Sequence, residues 1–246
     1  MNILLLGIDK ASSIGGYIRP KPWRADVIII ARADPDLRRI ILLSIPRDTR
    51  AAIPGHSREK IAHAHAYGEV PLTITTVEQL LGIKIDHYVS IDFTTYARMV
   101  DILGGIEIDL QKEFNTKHFS FVPGRQILTG KQAYEFVTSR DEPRADLARI
   151  DRQQQFLSAL LSSLRNKAGI LDYAGLYLEF KKSSETSLSL KDILGLAFFI
   201  RELKPDEMLM YKMPGRAEYI NGVSYWIADP DILQKSWMEI FREKGG

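Results

Sequence analysis

The chain has 246 residues, 45% hydrophobic and 26% charged, an ordinary make-up for a globular protein with room for one large domain. A formal net charge of +2, with no basic run or stripe, argues against bulk nucleic-acid binding. With no cysteine, disulfides, thiolate nucleophiles and cysteine-held zinc are excluded together.

The opening "MNILLLGID" carries an apolar run too short for a signal peptide, and Gly and Asp follow at once. No stretch approaches the roughly 20 apolar residues that cross a bilayer. The chain reads as soluble as given, or as the extramembrane part of a longer anchored protein. Residues 2–7, 26–32 and 39–45 are Leu- and Ile-rich runs bounded by polar or turn residues, which predicts central strands covered on both faces. The link "ADPDLRR" predicts a hairpin between the second and third. Residues 75–82 read as a helix stopped by Gly82, 87–93 as a strand, 93–105 as a helix with a Gly-Gly stop, and 105–110 as a strand. Residues 119–128 read as two short strands or a hairpin. Thr129 starts a helix over 129–140. The longest helix covers 145–167, with Leu147, Ile150, Leu157, Leu161 and Leu164 on one face. Helices follow at 189–203 and 229–244, with "MLMYKMPG" and "GVSYWIA" between them as a final strand pair. Alternating elements predict an α/β fold, a three-layer α/β/α domain on a central mixed sheet, with one domain over 1–246.

Three of these strands carry charge at one end. The first ends Gly7-Ile8-Asp9, the second begins Arg24-Ala25-Asp26, and the third runs into Pro46-Arg47-Asp48. If the second is antiparallel to the others, all three ends meet at one sheet edge, where ligands of open α/β sheets sit. Asp9 and Asp26 then form a two-carboxylate set of the kind that holds Mg²⁺ together with phosphates and waters. The plainer alternative is an aspartate closing each loop. A second cluster, "TSRDEPRADLARIDRQQQF" at 138–156, holds Arg140, Arg144, Arg149, Arg152 and Gln153. Asp146, Arg149 and Gln153 share one helical stripe beside the apolar face. Arginine suits multidentate phosphate binding, while the alternative is a salt-bridged solvated face. Gln154 falls within the apolar face and requires a buried partner. His56, His63 and His65 lie close in sequence, but 63 and 65 do not face the same way on a helix, and no HExxH motif occurs. No GxGxxG, GxxxxGK[ST] or GxSxG is present.

In order, "NILLLGID", "RADVIIIAR", "ILLSIPRDTRAAIPGH", "EKIAHAHAYG", "MVDILGGIEIDL", "PGRQILTGKQAYEFV" and "SRDEPRADLARIDRQQQ" resemble the LytR-CpsA-Psr family, and the likeness runs through "KMPGRAEYINGVSYWIAD". The SIPRDT motif followed by D-x-x-R-x-x-R-Q is its most specific part. The resemblance implies an envelope enzyme at the extracytoplasmic face of the membrane. On that resemblance it would move an anionic glycopolymer from a polyprenyl-pyrophosphate lipid to a peptidoglycan hydroxyl, with Mg²⁺ assisting, and the charge argues against a nucleic-acid partner. The resemblance assigns Mg²⁺ to Asp9 and Asp26, catalysis to these with Arg47 and Arg149, and the pyrophosphate to Arg47, Arg140, Arg149, Arg152 and Gln153. Asp48 is expected to support the Arg47 loop. Either Asp9 or Asp26 is a candidate base for the acceptor hydroxyl, and helices 93–105 and 145–167 are candidate walls for the lipid.

Three departures stand out. Thr138 occupies a position that is usually arginine, Ala62 one that is often asparagine, and "KASSIGGYIRPKPW" is longer than usual, offering Arg19, Lys21 and Trp23 to a glycan. The family's members carry an N-terminal membrane helix, so the resemblance implies that the full-length form is anchored by such a helix ahead of these residues. A lipid pyrophosphatase and a non-catalytic polyprenyl-phosphate-binding protein remain alternatives. No helix-turn-helix signature supports DNA binding.

Overall fold

The Leu/Ile runs near the N-terminus become strands, the first and third buried along most of their length and the second buried at half of its positions. β1 (Asn2–Ile8), β2 (Ala25–Asp34) and β3 (Arg39–Ser44) pair antiparallel in sequence, β2 and β3 through the expected tight turn. The computed structural model describes residues 1–10, 20–139, 145–166 and 170–229. The chain forms two compact units. The first joins Met1–Asp9, Pro20–Ser90 and residues 209–229; the second is built mainly on Ile91–Met208.

In the first unit, β4 (Arg50–Ala52) and β5 (Arg58–Lys60) form a small hairpin that leads into α1 (Ala62–Leu81). This helix begins well before the predicted 75–82. The backbone leaves helical geometry at Gly68 and at Glu69, whose φ is +52°. Pro71 sits just past the break, near the start of the second half, where its missing N–H costs least. Gly82 ends α1 in the left-handed conformation and donates its N–H to the Glu78 carbonyl at 2.8 Å. β6 (His87–Asp92) follows. Leu4, Leu6, Ile8, Ile28, Ile30, Ile41 and Leu43 pack with Val70, Val77 and Leu81 of α1 to make the core. Each such side chain contributes about 1.5–3 kcal/mol by leaving water.

The second unit starts with α2 (Phe93–Ile102), capped by Asp92, whose Oδ1 accepts from the Thr95 N–H at 2.8 Å. β7 (Ile106–Leu110), β8 (Phe114–Asn115), β9 (Ser120–Phe121) and β10 (Gly124–Leu128) come next. Of the two forms open for 119–128, two short strands are found, not a hairpin: β9 pairs with β8, and β10 with β7. α3 (Gly130–Thr138) starts from a capping box of Thr129 and Gln132. α4 (Ala145–Asn166), α5 (Ile170–Ser183), β11 (Ser184–Thr186) and α6 (Leu190–Glu202) complete this unit, α6 capped by Ser189.

β12 (Met208–Lys212) returns to the first unit's sheet, which runs β6-β1-β2-β3-β12. β13 (Gly215–Ile220) and β14 (Val223–Ala228) form a hairpin across Asn221-Gly222, both at positive φ. The final strand pair is therefore β13–β14, while β12 pairs elsewhere. The fold is mixed α/β on a central mixed sheet, as expected. The helix predicted over 229–244 lies almost wholly outside the described residues. Among the described residues, no helix is long and apolar enough to cross a membrane.

Gly130 opens α3 against α2: its N–H donates to Asp101 Oδ1 at 2.7 Å, and an added Cβ would lie 2.1 Å from the Ala97 carbonyl oxygen. Gly195, inside α6, faces open space. In urea unfolding, Gly130→Ala is expected to cost about 2–3 kcal/mol. Gly195→Ala is expected to stabilise by about 0.5–1 kcal/mol.

Candidate active site

The charged ends of β1, β2 and β3 do meet at one edge of the first unit's sheet. Pairing runs Gly7 to Val27 and then Ile8 to Ala25, so Asp26 is the extra residue of a β-bulge. A bulge re-aims the side chain it carries. Here Asp26 Oδ1 accepts from Arg47 Nη1 at 2.8 Å, with side chains 11% and 16% exposed. The Asp9 N–H approaches the Arg24 carbonyl at 3.4 Å, which places Asp9 at the same strand end.

The loop carrying Arg47 is fixed from every side. The Thr49 N–H and hydroxyl both donate to the Pro46 carbonyl, at 2.9 and 2.6 Å. The Ala62 N–H donates to the Arg47 carbonyl at 3.1 Å, and the Ile61 N–H to Thr49 at 2.8 Å. Asp48 pairs with Lys60 Nζ at 2.8 Å, while its carbonyl accepts from the Trp226 N–H at 2.9 Å. Arg47 is thus a preset cation at the mouth of a rigid sheet, suited to a phosphate.

Asp9 and Asp26 are the only expected metal ligands, and no group of three or more acidic or imidazole side chains gathers among the described residues. Two carboxylates fit Mg²⁺ in the mode where phosphate oxygens and waters complete the shell. Lys21 and Trp23 already have partners: Lys21 pairs with Glu69 and lies 5.1 Å over the Trp23 ring, and the Trp23 carbonyl is 2.9 Å from His65 Nδ1. Arg19 lies outside the described residues.

In the second unit, α4 turns Arg149, Arg152, Gln153 and Phe156 inward, beside Ile150 and Leu161 of the predicted apolar face. Arg149 is 3% exposed. Arg152 gives Nε to the Phe136 carbonyl at 2.8 Å and Nη2 to the Ser139 carbonyl at 2.6 Å, and its guanidinium lies 4.3 Å over the Phe114 ring. It therefore closes the C-terminal end of α3, where a helix leaves carbonyls unpaired and favours a cation. Gln153 Nε2 donates to Val137 at 3.3 Å. The Thr138 hydroxyl donates to the Tyr134 carbonyl at 2.7 Å, inside its own helix. Gln154 is half-buried. Arg140 and Arg144 lie outside the described residues.

The three histidines go to different partners: His65 to the Trp23 carbonyl, His63 to Glu59, and His56 onto the Tyr67 ring at 4.2 Å. Around Glu59, His63 helps form a cluster that the sequence reading missed. Its carboxylate receives His63 Nδ1 at 2.8 Å, the Tyr67 hydroxyl at 2.8 Å and the Ser57 hydroxyl at 2.9 Å. These hydrogen bonds, His63 foremost, hold the Glu59 carboxyl down at about 2, and in return raise the Tyr67 phenol. The i, i+4, i+8 spacing of 59, 63 and 67 is the signal that could have revealed it.

The LytR_cpsA_psr family model matches residues 1–242. The polyisoprenyl-teichoic acid–peptidoglycan teichoic acid transferase TagU of Halalkalibacterium halodurans is 34% identical over 95% of this chain and 76% of its own length. TagT of Bacillus subtilis, named for the same transfer, is 31% identical over 99% and 77%. Among solved structures, B. subtilis TagV superposes with a TM-score of 0.84 at 28% identity, covering 97% of this chain and 96% of that one. TagT bound to LIIa-WTA gives 0.79 at 29% identity, over 98% and 89%.

Two variants probe the two units. Arg152→Met is expected to cost about 3 kcal/mol in urea unfolding, since it strips two backbone carbonyls and leaves the α3 terminus unpaired. Glu59→Gln tests the depressed carboxyl. The stabilisation from ionised Glu59 is fully present above its ordinary value of 4.5 and is lost as pH falls through about 2. The Tm difference between wild type and variant should be constant above pH 5 and shrink toward pH 2.

Proposed function

Because this chain belongs to the LytR-CpsA-Psr family, we propose that it transfers a teichoic-acid-like glycopolymer from a polyprenyl-pyrophosphate lipid to peptidoglycan, at the extracytoplasmic face of the membrane. The names of the TagU and TagT relatives support the transfer. The TagT structure with octaprenyl pyrophosphate, 29% identical over 98% of this chain with a TM-score of 0.74, supports the class of donor. The observation that carries the reading is Arg47, locked on the bulged Asp26 at the end of three buried strands.

Phosphoryl transfer asks the protein for positioning and for charge placed where the leaving phosphate develops it. Arg47 serves that need in the first unit. In the second, Arg149 and Gln153 are the proposed pyrophosphate ligands, with Arg140 from outside the described residues. Arg152 acts through its neighbours, holding the end of the helix that precedes them. Asp9 and Asp26 are the residues that would hold Mg²⁺, which when bound offsets negative charge on the phosphates.

The test is incubation of the purified chain with Mg²⁺, a synthetic polyprenyl-pyrophosphate-linked saccharide and peptidoglycan oligomers, read by mass spectrometry. The expected product is a conjugate that falls at least about 100-fold in Arg47→Ala and Asp26→Asn, with circular dichroism reporting that each variant is folded. Phosphosaccharide released without conjugate would point to a hydrolase. Bound, unaltered lipid would point to a carrier protein.

A further inference from the structure

The proposed transfer needs a group that takes the proton from the acceptor hydroxyl, and Asp26 is poorly placed for it. Its Oδ1 is taken up by Arg47 Nη1 at 2.8 Å, and both Asp9 and Asp26 are the residues proposed for Mg²⁺. Resting on the transfer reading above, we propose that His63, oriented by Glu59, is that proton acceptor.

Glu59 is ionised at any pH where the enzyme works, so it only accepts hydrogen bonds. The 2.8 Å contact with His63 therefore places the imidazole proton on Nδ1 and leaves the lone pair on Nε2. Nε2 has no hydrogen-bond partner among the described residues, and the His63 side chain is 24% exposed. A base held by a carboxylate with its other nitrogen open is the arrangement that general-base catalysis requires.

The dyad is joined to the Arg47 loop by short links. His63 follows Ala62, whose N–H holds the Arg47 carbonyl, and Glu59 precedes Lys60, which pairs with Asp48. Tyr67 and the exposed His56 stack beside it, giving a flat wall on which a sugar ring can rest. The charged and titratable groups against His63 are Glu59 from β5 and Tyr67 from α1; His56 from the preceding loop stacks on Tyr67, and the charge of Arg24 reaches Tyr67.

In the step, the acceptor O–H bond breaks and its proton moves to Nε2. That oxygen forms a bond to the phosphorus bearing the glycan. The bond from this phosphorus to the bridging oxygen breaks, and its electron pair leaves with polyprenyl phosphate. The imidazolium, stabilised by Glu59, then returns its proton to water.

The experiment measures conjugate formation against pH, with the same donor and peptidoglycan oligomers. His63→Gln is expected to lower kcat about 100- to 1000-fold and to abolish the acidic limb of the pH profile, while donor binding by native mass spectrometry stays at the wild-type value and circular dichroism reports a folded chain. His63→Gly assayed with added imidazole should recover part of the rate, and carries the test where Gln disturbs the fold. Wild type that conjugates while His63→Gln conjugates equally fast overturns His63 alone. So does a loss that tracks donor binding, or His63→Gly left unrescued by imidazole. Wild type that makes no conjugate overturns the transfer reading and this assignment with it.

Discussion

The ion pair between Arg47 and Asp26 is the constraint around which the first unit is arranged. An arginine brought to the end of a buried sheet must be held, or its long side chain samples many rotamers and its charge is spread over them. The chain solves this with a β-bulge that lifts Asp26 out of register and turns it toward Arg47. The backbone around Arg47 is then closed by amides from the start of α1, by the Lys60–Asp48 pair and by β14. Three separate stretches of sequence converge to fix one guanidinium, and this is the kind of preorganisation that charge stabilisation in phosphoryl transfer depends on.

The second unit uses arginine in another way. Arg152 spends its donors on the carbonyls that end α3 and rests on Phe114, so its guanidinium holds up the helix end. Arg149, one turn earlier, is the more buried of the two. Two arginines three residues apart on α4 thus have different tasks, one closing a neighbouring helix and one proposed for the pyrophosphate. The chemistry of a guanidinium allows both, and only its neighbours decide between them.

Much of this was legible in the sequence. Continuous Leu/Ile runs made β1, β2 and β3 readable, because strands buried on both faces leave no polar alternation. Charge at their ends made the Asp9, Asp26 and Arg47 edge readable. Less local facts stayed hidden. Gly68 and Pro71 concealed the first half of α1, since a broken helix shows no continuous period. The Asn221-Gly222 turn announces the β13–β14 hairpin, but the longer apolar run of "MLMYKMPG" drew the pairing elsewhere. Arg152's partners are backbone carbonyls, which one-letter codes do not distinguish. The Glu59, His63 and Tyr67 cluster begins before the helix that carries its other members, so a helical wheel drawn on α1 alone omits the carboxylate.

The interruption of α1 has a mechanical meaning. An unbroken helix of 20 residues would be a stiff rod, and any shift in the core-packed half from Val70 to Leu81 would swing the half that bears His63 and Tyr67. Two residues out of helical geometry divide it, as a coupling between two separately held halves. Lys21, paired with Glu69 at this coupling, fastens it to the segment that leads into β2. The leading turns of α1 therefore take their position from the Arg47 loop, to which Ala62 and Ile61 are bonded, while the trailing turns take theirs from the core.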